Sequence, residues 1–206
     1  MQGYILNYNR VKDEDLIVTV LTKESINTLY RFYGARHSII NIGYKIDFEV
    51  EESAKVTIGR LKDVIQLGND WLFDRNKLYH WQQFIKLLYT HLRDVVEIDE
   101  FYFELLEYLS ARLSLQSPKR AIIEAYVKLL KYEGRLFDTI ECMICDQTIE
   151  EEEVVIIRAF QQTHIDCLHK TKFNKAKIAE LFSTYNSFHL NDEEISELWL
   201  ILLEGL

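Results

Sequence analysis

The chain has 206 residues, 48% of them hydrophobic, which is enough for one large domain or two small ones with a proper core and excludes a disordered tail. Its net charge of -9 argues against indiscriminate binding to nucleic acid, yet residues 1–68 carry nine Lys/Arg against nine Asp/Glu, so the acidic excess lies beyond them. The N-terminus has no basic region followed by an apolar run and a cleavage site, and no apolar stretch reaches bilayer-spanning length, so a cytoplasmic protein with no membrane partner is expected.

In chain order, the first 68 residues read as short strands separated by polar or glycine breaks: Gly3–Tyr8, Leu16–Thr22, Thr28–Tyr33, Tyr44–Glu51 and Leu61–Leu67. Ile46, Phe48 and Val50 alternate with Asp47, Glu49 and Glu51, the period of a strand with one buried face. Five such strands without long helices between them predict a small barrel or sandwich. Asp13-Glu14-Asp15 could be a catalytic or metal-binding cluster. A solvated turn is favoured, because nothing nearby in sequence supplies a partner.

This segment also mixes cations with flat rings. Arg10, Lys12, Arg31, Arg36, His37 and Lys45 are interleaved with Tyr4, Tyr8, Tyr30, Phe32, Tyr33 and Tyr44. A surface for single strands needs such a mixture, cations for phosphates and rings for bases. Composition alone fits equally an ordinary barrel whose rings point inward.

After Gly68-Asn-Asp70 the period becomes helical. Leu78, Trp81, Phe84, Ile85, Leu88, Leu92 and Val95 recur at three- and four-residue steps, and Tyr102, Leu105, Leu106, Leu109 and Leu113 repeat the pattern. Ser117-Pro118 predicts a third helix, with Ser117 as N-cap and proline where its missing N–H costs nothing. Two more helices are expected at about 174–186 and 192–204, the second opened by Asn191 with Glu194 supporting the cap.

Between them lies Cys142-x2-Cys145-x18-His164-x2-Cys167, which holds all three cysteines of the chain. Two short knuckles at this separation are in range for a four-ligand zinc site, and Val154–Phe160 has the composition of a strand linking them. His169 competes with His164 as the fourth ligand, but Cys-x-His suits a compact knuckle less well. In the alternative, Cys142 and Cys145 are core thiols and His164 is solvated. A redox dithiol should open a helix, and this pair is followed by Asp-Gln-Thr and four glutamates. Four protein ligands leave no open position, so the metal would be structural, supplying on the order of 10 kcal/mol of folding energy. No nucleotide-hydrolysis, dinucleotide-binding or common hydrolase signature is present, and no catalytic residue is assigned.

Gly3-Tyr-Ile-Leu, Asp13–Thr22, Gly34-Ala-Arg36 with Ser38, Tyr44–Glu51 and the Cys142/Cys145 knuckle, taken in this order, resemble the RecO family of bacterial recombination and repair mediators over essentially the full length. The resemblance implies an α+β protein: an oligonucleotide-binding (OB-fold) barrel over 1–70, then a helical domain over 71–206 carrying a zinc-ribbon-like insert at 140–170. It implies a non-enzymatic DNA repair mediator that binds single-stranded DNA, with duplex DNA as a further candidate. Such a protein anneals strands and helps load RecA onto strands coated by single-strand-binding protein. RecR and the C-terminal tail of single-strand-binding protein are the implied partners. By position Arg36 becomes the leading DNA contact. The rival reading is a protein-interaction adapter with a structural zinc and no direct DNA role. Two departures from the family stand out: the weakly basic His37-Ser-Ile-Ile40 after Gly-Ala-Arg, and His164 where a cysteine is usual. The knuckles also lack their usual glycines after Cys145 and Cys167.

Overall fold

A computed structural model describes residues 1–36, 38–52, 57–95, 97–136 and 141–206. Its compact units are Met1–Ser114 and Leu115–Leu206. Strands give way to helices near residue 70, where the sequence pattern changes, but the first two helices pack in the same unit as the strands.

In the first unit β1 (Gln2–Arg10), β2 (Leu16–Leu21), β3 (Ile26–Arg31), β4 (Lys45–Glu51) and β5 (Arg60–Leu67) close into a barrel in the order β1-β2-β3-β5-β4. Neighbours are antiparallel except β3 and β5, which pair in parallel through Tyr30 and Arg60. This strand order is the five-stranded Greek-key arrangement of an OB-fold. The alternation expected for β4 holds: Ile46 and Phe48 are buried beside Ile5, Val18, Val20, Leu29 and Leu61, while Glu49 is exposed.

The expected Thr28–Tyr33 strand starts and stops two residues early. Tyr33 adopts a left-handed φ of 52°, which ends the pairing and lets Phe32 and Tyr33 leave the sheet.

Helices α1 (Arg75–Leu92) and α2 (Glu100–Leu115) complete this unit. Asp74 caps α1 by accepting from the Asn76 and Lys77 amides. The helix ends at Leu92, short of the Val95 that the periodicity had included, and Val95 is exposed. Trp81 is fully buried and donates its indole N–H to the Gly43 carbonyl at 2.8 Å, against Tyr4 and Trp71. Gly43 sits at φ 81°, and a Cβ there would overlap the Trp81 indole, so this position tolerates only glycine.

In the second unit α3 (Pro118–Tyr132) is buried on most of its circumference, from Ala121 to Leu130, and packs on α4 (Lys175–Thr184) and α5 (Asp192–Leu203). Pro118 stands at the start as expected, although the Ser117 side chain makes no capping bond. Asn191 and Glu194 form the expected capping box. Buried Glu124 accepts from the Ser187 amide and hydroxyl, and Arg120 donates to the Ser187 and Leu190 carbonyls; together they fix the α4–α5 connection. The insert folds as a three-stranded sheet ordered β7-β6-β8, from β6 (Glu153–Ile156), β7 (Gln162–Thr163) and β8 (Lys172–Asn174). The strand expected over Val154–Phe160 is therefore a short strand and a reversal: Ala159 and Phe160 take positive φ, turning the chain back against β6. The gain is apolar, since the turn seats Phe160 edge-on to Tyr126 with centroids 4.9 Å apart.

Candidate nucleic-acid surface and metal centre

The rings divide by position on the barrel. Tyr4 is buried, and burial together with Glu107 pushes its hydroxyl well above the ordinary tyrosine range. Tyr8, Phe32 and Tyr33 are exposed, whereas Tyr30 and Tyr44 are half-buried. Tyr30 and Phe32 meet edge to face at 4.9 Å and, with Thr57, Ile58 and Arg60, line a groove of about 280 Å³. The Arg60 guanidinium stands 5.0 Å over the Phe32 ring, and that of Arg36 stands 4.9 Å over Tyr33. A base can stack on such rings while its phosphate meets the guanidinium.

The predicted cations fare differently. Arg36 is exposed on a 3-10 turn, Gly34–Arg36, and pairs with Glu14. Arg10 is exposed at the end of β1 and lines a second groove with Tyr8, Ser38, Asn41 and Tyr44. Lys12 is exposed in the β1–β2 turn. Arg31 is half-buried and spends one N–H on the Leu61 carbonyl at 2.9 Å, so it serves the barrel wall. Lys45 is largely covered and pairs with Glu107 at 2.8 Å between the Tyr4 and Phe103 rings, so its ammonium is already committed. His37 lies outside the described residues.

The sequence reading missed Arg60. It lies 28 positions from Phe32, and only the parallel β3–β5 closure brings the two together. The acidic turn also proves partnered: the Asp15 carboxylate accepts from the Tyr30 hydroxyl at 2.6 Å and the Tyr33 amide at 2.7 Å. The Tyr30 hydrogen bond holds the Asp15 carboxyl below the usual carboxylate range.

In the second unit the first knuckle is framed by a bridge between Glu141 and Thr148, and the Met143 amide donates to the Gln162 carbonyl, tying it to β7. The second knuckle follows β7 directly. As a result, the donor atoms of Cys142, Cys145, His164 and Cys167 all lie within 4.8 Å of one another. His164 Nδ1 is 3.3 Å from Cys145 Sγ and 3.8 Å from Cys167 Sγ. His169 is exposed and outside the group.

The donor set fits a metal ion. Tetrahedral ligands at metal–sulfur distances near 2.3 Å stand about 3.8 Å apart, which this spread accommodates. The His164 Nε2 edge meets the Thr148 carbonyl at 3.1 Å, so an Nε2–H donated there leaves Nδ1, on the side of the sulfurs, as the atom that would hold a metal once its proton is lost. The Ile144 and His164 amides both point at Cys142 Sγ at 3.4 Å, as a bound thiolate requires. Burial alone would push the Cys142 thiol up, but those amides together with the Cys145 amide and thiol outweigh it and bring it down to about 6. The Thr148 carbonyl raises His164 to about 9, and burial raises Cys167 to about 11. Asp146 occupies the place of the missing glycine after Cys145 at φ 57°, a conformation aspartate tolerates better than most residues. Leu168, in the corresponding place after Cys167, has no positive φ and needs no glycine.

Residues 1–72 match the family described as RecO N terminal. This segment is similar to a RecO N-terminal domain over about a third of the chain. The match supports a RecO-family protein, and among the described residues the closed barrel, the five α-helices and the later Cys/His group agree with the α+β architecture expected of one. No curated protein matches the chain. A RecO N-terminal domain implies a role in DNA recombination and repair, with DNA and recombination proteins as partners in general. Among the described residues no helix is long and apolar enough to cross a membrane.

Proposed function

We propose that the protein is a non-enzymatic recombination mediator whose barrel binds single-stranded DNA, promotes annealing, and acts with RecR to load RecA onto strands coated by single-strand-binding protein. The observation that carries this reading is the Tyr30–Phe32 groove with Arg60 stacked on Phe32 and the Arg36–Tyr33 pair beside it. Phosphates meet the guanidinium groups while bases stack on the rings, so recognition is tolerant of sequence and sensitive to salt. Arg36 and Arg60 are the leading contacts, with Arg10 and Lys12 nearby in the same unit. Arg31 and Lys45 act through the barrel wall. In this reading the Cys3His group holds one structural zinc, with Cys142, Cys145 and Cys167 as thiolates and His164 through Nδ1. The metal pins the two knuckles and carries no chemistry.

The test is a fluorescence-anisotropy titration of a labelled oligonucleotide at low salt, with and without RecR, for the wild type and Phe32→Ala. Loss of one stacked base weakens binding about 5- to 160-fold. Binding by neither form, with or without RecR, would favour the adapter reading in which the acidic second part of the chain serves only protein contacts.

A further inference from the structure

Four hydrogen bonds hold the β1–β2 turn against the end of β3 and the segment that follows it. The Ala35 amide donates to the Glu14 carbonyl at 2.9 Å, Asp15 receives the Tyr30 hydroxyl and the Tyr33 amide, and Arg36 Nε donates to the Glu14 carboxylate. Tyr33 accepts a left-handed backbone to make this possible, at a cost that the Asp15 clamp offsets. The outcome is a fixed carboxylate on one edge of the guanidinium that leads the proposed DNA contacts.

Carboxylate and phosphate oxygens compete for the same guanidinium N–H groups in the same in-plane geometry. We infer that Glu14 is an internal phosphate mimic that sets the affinity of this surface for a DNA backbone. A strand reaching Arg36 must displace it, while Asp15, a positioning residue, keeps the Tyr30 and Tyr33 rings in place. Both partners are exposed, at 61% for the Arg36 side chain and 39% for Glu14, so the pair opens readily. The device tempers affinity without blocking the site. It rests on the single-strand-binding reading above, and it explains in structural terms why an acidic triplet sits beside the arginine of Gly34-Ala-Arg36.

The experiment compares wild type, Glu14→Gln, Arg36→Gln, the double variant and Asp13→Asn in the same oligonucleotide titration. Asp13 removes an equal charge from the same turn, already has a left-handed φ that asparagine accepts, and has no side-chain bond among the described contacts. Displacing an exposed ion pair is worth up to about 1 kcal/mol, so Glu14→Gln tightens binding about three- to five-fold. It also steepens the log–log salt dependence by up to about 0.7, one phosphate contact on a single strand. The gain disappears in the Arg36→Gln background, and Asp13→Asn gives less than half of it. An Arg36 Nε–H chemical shift that differs between the free wild type and Glu14→Gln reads the contact without DNA.

Unchanged affinity in Glu14→Gln, an equal gain in Asp13→Asn, a gain that survives Arg36→Gln, or an Arg36 Nε–H shift identical in wild type and Glu14→Gln overturns the inference while leaving DNA binding intact. If no form binds the oligonucleotide, the DNA reading falls and this inference falls with it.

Discussion

Replacing Cys145 with serine isolates the metal centre from the packing around it. The Cys145 side chain is exposed, so its truncation leaves no cavity, whereas Cys142 is buried and its loss would confuse the two effects. A structural site of four ligands supplies on the order of 10 kcal/mol, and an even division assigns about 2.5 kcal/mol to each. That corresponds to about 60-fold in metal affinity. In a unit of Leu115–Leu206 size it lowers the melting temperature by roughly 10–20 °C when metal is limiting. The assay is elemental analysis of protein purified without chelator, paired with thermal melts before and after chelation. Wild type carries one equivalent of zinc and loses stability on chelation; Cys145→Ser carries much less and melts low in both conditions. His164→Cys keeps the metal, because it restores a four-thiolate set, and His169→Ala changes nothing. A full equivalent of metal in Cys145→Ser, or its loss in His169→Ala, refutes the assignment of the four ligands.

Gly43→Ala combines a Cβ that overlaps the Trp81 indole with a backbone at φ 81°, so it should destabilise the first unit by about 3 kcal/mol or more in denaturant unfolding. Trp81→Phe keeps most of the apolar contact but strands the Gly43 carbonyl, costing about 1–3 kcal/mol in the same measurement. The folded-state carboxyl of Asp15 lies below its unfolded value, so its contribution is present above the ordinary carboxylate range and is lost as pH falls through the depressed value. Asp15→Asn should therefore flatten the acid side of the stability–pH curve, read by melts between neutral and strongly acidic pH; an unchanged slope would remove Asp15 from that role.

The β4 alternation, the helical period after residue 70, the Asn191–Glu194 capping box and the two-knuckle ligand spacing are all legible in the sequence. Each depends on contacts within a few residues or on a fixed ligand chemistry. The barrel follows from the resemblance, and the closed five-stranded barrel agrees with it; the order of its strands comes from the structure. Three features were decided by tertiary structure alone. Local pattern could not tell a free cation from a structural one: Lys45 is drawn against Glu107, and Arg31 onto the Leu61 carbonyl, by neighbours distant in sequence. The parallel closure of β3 on β5 created the Phe32–Arg60 groove, and the left-handed Tyr33 made the acidic turn a partner of Arg36 where sequence suggested only a solvated loop. Periodicity and spacing act over one turn or one strand, so the sequence by itself determined most of the elements and the spacing of four candidate ligands. Which charged and aromatic groups face one another depends on long-range pairing, and that only the folded chain decided.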